Sequence, residues 1–216
     1  MVKFKEVAQI FAVIIVLIIA VNLNAVVTNK INLEIMLIKS VSIAIIVVLS
    51  IIAKNIAANY FEAGIKTKIW QWQRFGIQQH QHFKKPVPAG IILPLLFSLV
   101  SIGYFYWFAC LEFDATPKHS RVAKRYGIKE FRFTEMTESH LGFIAAAGVV
   151  VNLIASVIAY IAGFPEFTKL AIYYSAFSML PLSNLDGNKI FFASIKFWIT
   201  LAAICLIFLG YALYLR

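Results

Sequence analysis

Residues 7–29 read VAQIFAVIIVLIIAVNLNAVVTN, a run of 23 residues without a charge. About 20 apolar residues are enough to cross the hydrocarbon core of a bilayer as a helix. Residues 91–111, 141–163 and 197–215 form three further uncharged runs of 19 to 23 residues. The chain of 216 residues is 61% hydrophobic and 14% charged, whereas a soluble domain is roughly 25% charged. The sequence therefore predicts an integral membrane protein that crosses the bilayer several times.

Two weaker segments raise the predicted number of helical segments to six. Residues 35–53 are long enough but contain Lys39, whose flexible side chain can reach the headgroups. Residues 168–184 are short and contain Pro181, so a thin span, a broken helix and a re-entrant segment all remain open. We predict an all-α, polytopic fold with one membrane domain over residues 1–216 and spans at 7–29, 35–53, 91–111, 141–163, 168–184 and 190–215. The first span follows Lys3 and Lys5, but its length and the lack of a clear cleavage site favour a retained helix over a signal peptide.

Two polar links, residues 54–90 and 112–140, interrupt the spans. The alternating sequences KTKIWQWQ at 66–73 and FRFT at 131–134 predict short strands at the membrane surface. Trp70 and Trp72 would share one face of such a strand, and tryptophan favours the headgroup region.

The net charge of +10 is concentrated in these links, as is typical of Lys and Arg next to membrane spans. The charge therefore indicates no nucleic-acid partner. Each link contains six Lys or Arg residues. A span over residues 91–111 would place the two links on opposite sides, so the positive-inside rule gives no orientation.

The sequence SMLPLSNLDGNKI, residues 178–190, places an acidic residue between two hydrophobic segments. An ionisable residue near membrane depth is costly and usually has a partner or a task. Pro181 and Gly187 indicate unwound backbone beside Asp186. In the simpler alternative, Asp186 lies in an interfacial turn and caps a helix that begins near Asn188.

A second feature is the sequence GVVVN, from Gly148 to Asn152, which follows three alanines. Small residues allow two helices to approach closely, and a buried asparagine can bridge helices or hold irregular backbone. A plain helix-packing face is the alternative interpretation.

Together these two features resemble the site-2 protease family, the zinc metalloproteases that cut within membranes. In that family a glycine-x-x-x-asparagine element precedes a Leu-Asp-Gly motif. The residues that carry the resemblance are Gly148, Asn152, Pro181, Asn184, Leu185, Asp186 and Gly187. The resemblance is strongest over residues 134–192 and weaker over 40–72. Chain length and segment number are similar to those of the compact archaeal members, which implies a prokaryotic cell membrane.

The chain departs from the family at its zinc helix. The family carries His-Glu-x-x-His there: the two histidines bind zinc, the glutamate activates water, and an aspartate, here Asp186, is the third ligand. The second hydrophobic segment contains neither histidine nor glutamate. The best register puts Leu49 and Ala53 at the ligand positions and Ser50 at the position of the base. One aspartate is too few for a catalytic zinc, which normally has three protein ligands.

Other groups could take part in catalysis or metal binding, but a structural or solvent-exposed role is favoured for each. The four histidines are His80, His82, His119 and His140, and a surface metal site at Glu135, Glu138 and His140 is the less favoured reading. Ser50 and Lys54 form a serine–lysine pair at helical spacing. We expect Lys54 at the end of its helix, where a lysine neutralises the helix dipole or meets the headgroups. Cys110 and Cys205 form no disulfide framework.

The sequence thus predicts a non-catalytic homologue of the family, a pseudoprotease without a cofactor. Its expected partners are the lipid bilayer and transmembrane segments of other proteins, and its oligomeric state stays open. An active intramembrane zinc protease with unconventional ligands and a transport or channel subunit are the alternatives. If all six segments span, the end of the second and the start of the last lie on opposite faces. We therefore expect either a re-entrant segment or an Asp186 that lies partway through the bilayer.

Overall fold

The structure is a computed structural model that describes residues 4–29, 31–74, 82–118 and 136–214. Seven helices lie in these residues: α1 (Phe4–Val27), α2 (Leu33–Tyr60), α3 (Ala89–Val100), α4 (Glu138–Ile161), α5 (Pro165–Ser178), α6 (Asp186–Ala193) and α7 (Ile195–Tyr214). The described strands are β1 (Ala63–Ile69), β2 (Trp72–Arg74), β3 (His82–Val87) and β4 (Leu111–Pro117). The protein is mostly helical with a few short strands, as the sequence predicts.

Four helices, α1, α2, α4 and α7, are long and apolar enough to cross a membrane. Their outer faces carry large exposed apolar side chains, for example Phe11, Ile15 and Ile19 on α1. Such faces suit a lipid environment, because a helix satisfies its own backbone hydrogen bonds there. The structure therefore fits a multi-pass membrane protein, but the predicted count of six spans is not confirmed.

Helix α4 lies at the centre of the bundle. Half of the most apolar 18-residue stretch of α4 is buried inside the protein, whereas 17–28% of the corresponding stretch is buried in the other three long helices. It packs against α2, α5 and α6, and its buried residues include Ile144, Ala145, Val149 and Asn152. Small side chains on this helix allow its neighbours to come close.

Helix α2 continues past the predicted boundary at residue 53 and ends at Tyr60. The side chain of Asn32 caps its start by accepting hydrogen bonds from the backbone of Glu34 and Ile35. Glu62, with φ of 52°, turns the chain into β1. The first seven residues of the predicted polar link, 54–60, are therefore helical, and Lys54 lies inside the helix.

The predicted span at 91–111 is instead a hairpin. Helix α3 ends at Val100, and extended chain returns to β4. A 12-residue helix is about 18 Å long, too short for a core of about 30 Å. The two ends of the segment meet at the backbone of Trp70. The backbone N–H of Trp70 donates to the Cys110 carbonyl (2.8 Å), and the Trp70 carbonyl accepts from the backbone N–H of Gly90 (3.0 Å). A Cβ on Gly90 would lie 2.1 Å from the Cys110 oxygen, so glycine permits this closure.

The tip of the hairpin packs against α1. Gly103, with φ of +72°, lies so close to α1 that a Cβ would come within 2.4 Å of the backbone nitrogen of Asn24. The Asn24 side chain donates to the Ile102 carbonyl (3.0 Å), and Ser98 Oγ donates to the Ala20 carbonyl (2.7 Å). The Asn24 side chain thus satisfies a carbonyl of the non-helical turn, as irregular chain within a membrane would require.

The strands join the two polar links at one end of the bundle. Strands β1 and β4 pair in antiparallel register from Ala63–Pro117 to Ile69–Leu111, and β2 pairs with β3. The strand predicted over 66–73 is thus present in part, interrupted between β1 and β2. Trp70 and Trp72 stack with ring centroids 6.2 Å apart. The strand predicted at 131–134 lies outside the described residues.

We call this end of the molecule the sheet face. The start of α1 is there, because Glu6 accepts a hydrogen bond from the Thr67 backbone (2.8 Å). The start of α4 is there as well, because the ring of His140 lies 4.9 Å from that of Phe61, just before β1. The start of α7 is close by, since a Cβ on Gly142 would meet Ala193 at 2.2 Å. The far ends of α4 and α7 meet at the opposite face, where the rings of Tyr160 and Tyr211 lie 5.5 Å apart.

Candidate functional site

Asp186 is buried at the first residue of α6, with 3% of its surface exposed. Non-helical chain from Pro181 to Leu185 precedes it, and Ser183 has φ of 47°. A Cβ on Gly187 would lie 2.2 Å from the Met179 carbonyl, so glycine lets the start of α6 contact the end of α5. The unwound backbone predicted beside Asp186 is therefore present. The Asp186 carboxylate does not cap a helix, since Oδ2 accepts from Lys54 and Oδ1 has no partner among the described residues.

The partner of Asp186 is Lys54 of α2. Lys54 Nζ donates to Asp186 Oδ2 at 2.5 Å, and the two side chains are 6% and 4% exposed. Lys54 is six residues, or about 9 Å, from the end of α2. Our expectation that Lys54 ends its helix at the headgroups is therefore wrong. Each buried charge is tolerated because the other compensates it.

Gly148 of α4 makes room for this pair. A Cβ at Gly148 would lie 2.5 Å from Lys54 Cε and 2.8 Å from Ser50 Oγ. Ser50 and Lys54 are one turn apart and therefore share a face of α2. The close helix approach predicted for Gly148 is thus present, and it is made against the two polar residues of α2.

Asn152 lies one turn further along α4 and is completely buried. Among the described residues, neither Oδ1 nor Nδ2 of Asn152 has a hydrogen-bond partner, and Asp186 Oδ1 has none either. Buried polar atoms are usually paired. The interior around the ion pair therefore retains hydrogen-bonding capacity on both α4 and α6.

A second lysine, Lys189, lies one turn after Asp186 on α6. Its Nζ donates to the Phe113 carbonyl of β4 at 2.5 Å and lies 3.7 Å from the centroid of the Phe113 ring. The Lys54 ammonium is 5.5 Å from the same ring. Both contacts are cation–π interactions. Burial lowers the pKa of Lys189, which lies outside the four long helices, to about 8.

The serine–lysine pair is present in space but unsuited to catalysis. Ser50 is buried and interacts with the hydroxyl of buried Tyr174. A lysine that activates a serine must accept its proton. The ammonium of Lys54 instead donates to the Asp186 carboxylate, so it offers no lone pair to Ser50.

The other predicted residues lie apart from this cluster. Leu49 is half-buried and lines an apolar groove on α2, while Ala53 is buried. His140 packs against Phe61 with ring centroids 4.9 Å apart. Among the described residues, no three His, Cys, Asp or Glu side chains could hold a metal ion together. His80, His119, Glu135 and the side chain of His82 lie outside the described part of the chain.

The apolar groove lies between α2 and α4 and has a volume of about 660 Å³. Residues one turn apart along α2 form one wall: Leu37, Val41, Ile45 and Leu49. Ala155 and Ile158 of α4 contribute to the other wall. The groove therefore runs along two of the helices that are long and apolar enough to cross a membrane.

Comparison with known proteins gives no relative. No family model, curated protein or solved structure matches this chain. The resemblance to the site-2 protease family rests on the sequence motifs alone and stays a prediction.

Proposed function

We propose that this chain is a non-catalytic membrane scaffold of the site-2 protease type that binds a transmembrane segment of another protein. The observation that carries the proposal is the buried contact between Lys54 and Asp186. In the proposed relationship, Asp186 occupies the position of the third zinc ligand. A lysine ammonium lies 2.5 Å from its carboxylate, where the family has a metal cation.

The ion pair supports a register one residue later than the sequence alone suggests. Ser50 and Lys54 face Gly148, and Lys54 reaches Asp186, whereas Leu49 lines the groove. In this register Ser50 and Lys54 replace the two histidines and Ile51 replaces the glutamate. The proposed motif has thus exchanged a bound metal for a cation that belongs to the chain.

These residues do not fit a zinc ion. Zinc is bound by sulfur, imidazole nitrogen or carboxylate oxygen and normally takes at least three such protein ligands. An ammonium group has donors and no acceptor, and its charge repels a dication. Asp186 would be the only strong ligand, so we derive no hydrolytic step from this site. The alternative of a polar transport path has less support, because Lys54 already binds the one carboxylate of the pair.

The apolar groove supports the binding of a transmembrane segment. Its wall on α2 runs from Leu37 to Leu49, a distance of about 18 Å. An elongated apolar groove accepts the apolar face of a helix by repeated contacts one turn apart. Ala155 in the opposite wall leaves room for the backbone of such a helix to approach.

Metal analysis of the purified protein tests the first half of the proposal. We expect no stoichiometric zinc and an unfolding temperature that a chelator does not change. One zinc per chain that disappears in Asp186→Ala would refute the non-catalytic assignment. Asp114→Ala is the matched control, because Asp114 is an acid of the sheet face outside the cluster.

Photo-cross-linking in liposomes tests the second half. A synthetic single-span peptide is reconstituted with protein that carries a photoreactive residue at Val41 or Ile45. We expect cross-links from both positions, a decrease when Ala155→Phe fills the groove, and few cross-links from Phe11 on the outer face of α1. Equal labelling at Phe11 and Ile45 would show that contact is unspecific.

A further inference from the structure

A pocket of about 500 Å³ lies beside the hairpin and has an aromatic lining. Its wall is formed by Trp70, Trp72, Trp107, Phe97, Leu93, Leu182 and Ser183. The rings of Trp70 and Trp107 are nearly parallel at 6.5 Å, and those of Phe97 and Trp107 at 5.2 Å. A few hundred cubic ångströms of apolar lining with a few polar groups is typical of a ligand site.

The part of the pocket wall formed by Trp70, which we call the polar end, contains an unpaired hydrogen-bond donor. Trp70 is 2% exposed, and its Nε1 has no partner among the described residues. By contrast, Trp107 Nε1 donates to the Ala109 carbonyl at 3.0 Å. A buried N–H without an acceptor is unfavourable. A ligand with an acceptor atom at this end would remove that cost.

The other end of the pocket is apolar. Leu93 and Phe97 are one turn apart on α3, which starts at the sheet face. They lie about 6 and 12 Å along the helix from its first residue. The pocket therefore extends from the sheet face into the layer where the hairpin packs against α1.

The surroundings of the polar end are positively charged. Val87 of β3 pairs with Trp72 of the pocket wall, and Lys84 and Lys85 precede Val87 on the same strand. Lys84 and Lys85 are both exposed. Residues 70–110 contain no Asp or Glu. The chemistry at this end therefore suits an anion.

We propose that this pocket binds an anionic phospholipid. One acyl chain lies along Leu93, Phe97 and Trp107. A phosphate oxygen accepts the hydrogen bond from Trp70 Nε1, and the lysines of β3 compensate its charge. Basic residues at a membrane surface attract such headgroups, and the pocket adds an apolar seat for one chain.

The test compares retained lipids after purification and delipidation, with phosphatidylglycerol and phosphatidylcholine of equal chain length added back in nanodiscs. We expect wild type to retain phosphatidylglycerol at least tenfold better. Trp70→Phe keeps the ring but removes the donor, and we expect it to lose most of this preference. Trp198→Phe is the matched control, because Trp198 Nε1 already donates to the Met179 carbonyl.

Two further variants separate the headgroup from the chain. The double variant Lys84→Gln, Lys85→Gln should retain the two lipids equally well and still bind both. Phe97→Ala should lower the retention of both lipids. Equal retention of the two lipids by wild type would overturn the proposal. So would a Trp70→Phe protein that keeps the full preference.

A second inference concerns orientation and rests on the hairpin. Because residues 89–110 enter and leave at the sheet face, both polar links lie on that face. Leaving aside the buried Lys54 and Lys189, the basic residues described there are Lys5, Lys66, Lys68, Arg74, Lys84, Lys85, Lys118 and Lys196. Those near the opposite face are Lys39 and Lys169.

We infer from the positive-inside rule that the sheet face is cytoplasmic. Single cysteines at Lys66 on the sheet face and Phe164 on the opposite face test this with a membrane-impermeant maleimide. We expect intact cells to label Phe164→Cys and only lysed cells to label Lys66→Cys. The buried Cys110 and Cys205 set the background in wild type. Labelling of Lys66→Cys in intact cells would reverse the orientation.

Discussion

Two lysine–carboxylate contacts of this protein differ in their surroundings. Lys54 and Asp186 meet inside the helix bundle at 2.5 Å, and both side chains are almost completely buried. At the sheet, Lys68 of β1 lies 2.7 Å from Asp114 of β4, and these side chains are 34% and 52% exposed. Breaking a buried pair leaves a charge that water cannot reach, whereas an exposed pair exchanges its partner for water at small cost. We therefore expect the same chemistry to be essential in the bundle and dispensable in the sheet.

The largest effect should come from removing one partner of the buried pair. Asp186→Leu leaves the Lys54 ammonium uncompensated and should lower the free energy of unfolding by about 3–5 kcal/mol. Adding Lys54→Met should recover most of that loss, since two apolar groups need no compensation. Denaturant unfolding in detergent micelles measures both variants. If Asp186→Leu were as stable as Asp114→Asn, the buried and the exposed pair would not differ in their contribution to stability.

The next effect should come from the glycine that accommodates the pair. Gly148→Ala places a Cβ against Lys54 and Ser50, and overpacking of this kind costs about 1–3 kcal/mol. Gly210→Ala is the matched control, because nothing lies within 4 Å of a Cβ there. In α7 that change should be neutral or stabilise by up to about 1 kcal/mol. Equal thermal stability of the two variants would mean that Gly148 carries no packing constraint.

A smaller effect is expected at the sheet. Asp114→Asn should cost at most about 1 kcal/mol. The hydrogen bond from Lys68 to Asp114 raises the pKa of Lys68 above 10.5. The folded state therefore holds this proton more tightly, and its contribution is complete below pH 10.5 and lost as the pH rises further. The stability difference between wild type and Lys68→Gln should accordingly shrink in alkaline buffer. A difference that grows there would contradict the assignment.

The last prediction concerns Lys189, which is buried like Lys54 but donates to a backbone carbonyl. Its pKa is lowered from 10.5 to about 8. Its proton therefore opposes folding, and this cost is relieved as the pH rises from 8 to 10.5. NMR of isotopically labelled lysine side chains should show one resonance that titrates near pH 8 and is missing in Lys189→Met. Titration of that resonance above pH 10 would refute the burial of the amine.

Hydropathy predicted most of the fold but could not recognise the hairpin. Residues 91–111 have the composition of a span because one side of the hairpin packs against α1, while the other side exposes large apolar side chains such as Leu99 and Val100, as the long helices do. The deciding features are local: Gly90 lets the chain ends meet, and Gly103 has the left-handed backbone of the turn. Without a structure, neither glycine differs from one in a helix.

For the site, the sequence identified Asp186, Gly148 and Asn152, assigned Lys54 to the end of its helix, and missed Lys189 and Phe113. The signal for Lys54 was its position four residues after Ser50 in a helical pattern that continues to Tyr60. We placed the helix end at residue 53 because a lysine usually marks the end of a span. Phe113 could not be found, since its contacts with two lysines depend on the pairing of β1 with β4.

The lysine at Asp186 has a consequence for how the protein is made and maintained. A cation attached to the polypeptide is supplied in a fixed ratio of one per chain at translation. It cannot be exchanged for a competing metal, removed by a chelator or missing from newly made protein when zinc is scarce. The charge of Asp186 is therefore compensated by a group that is synthesised with the chain itself.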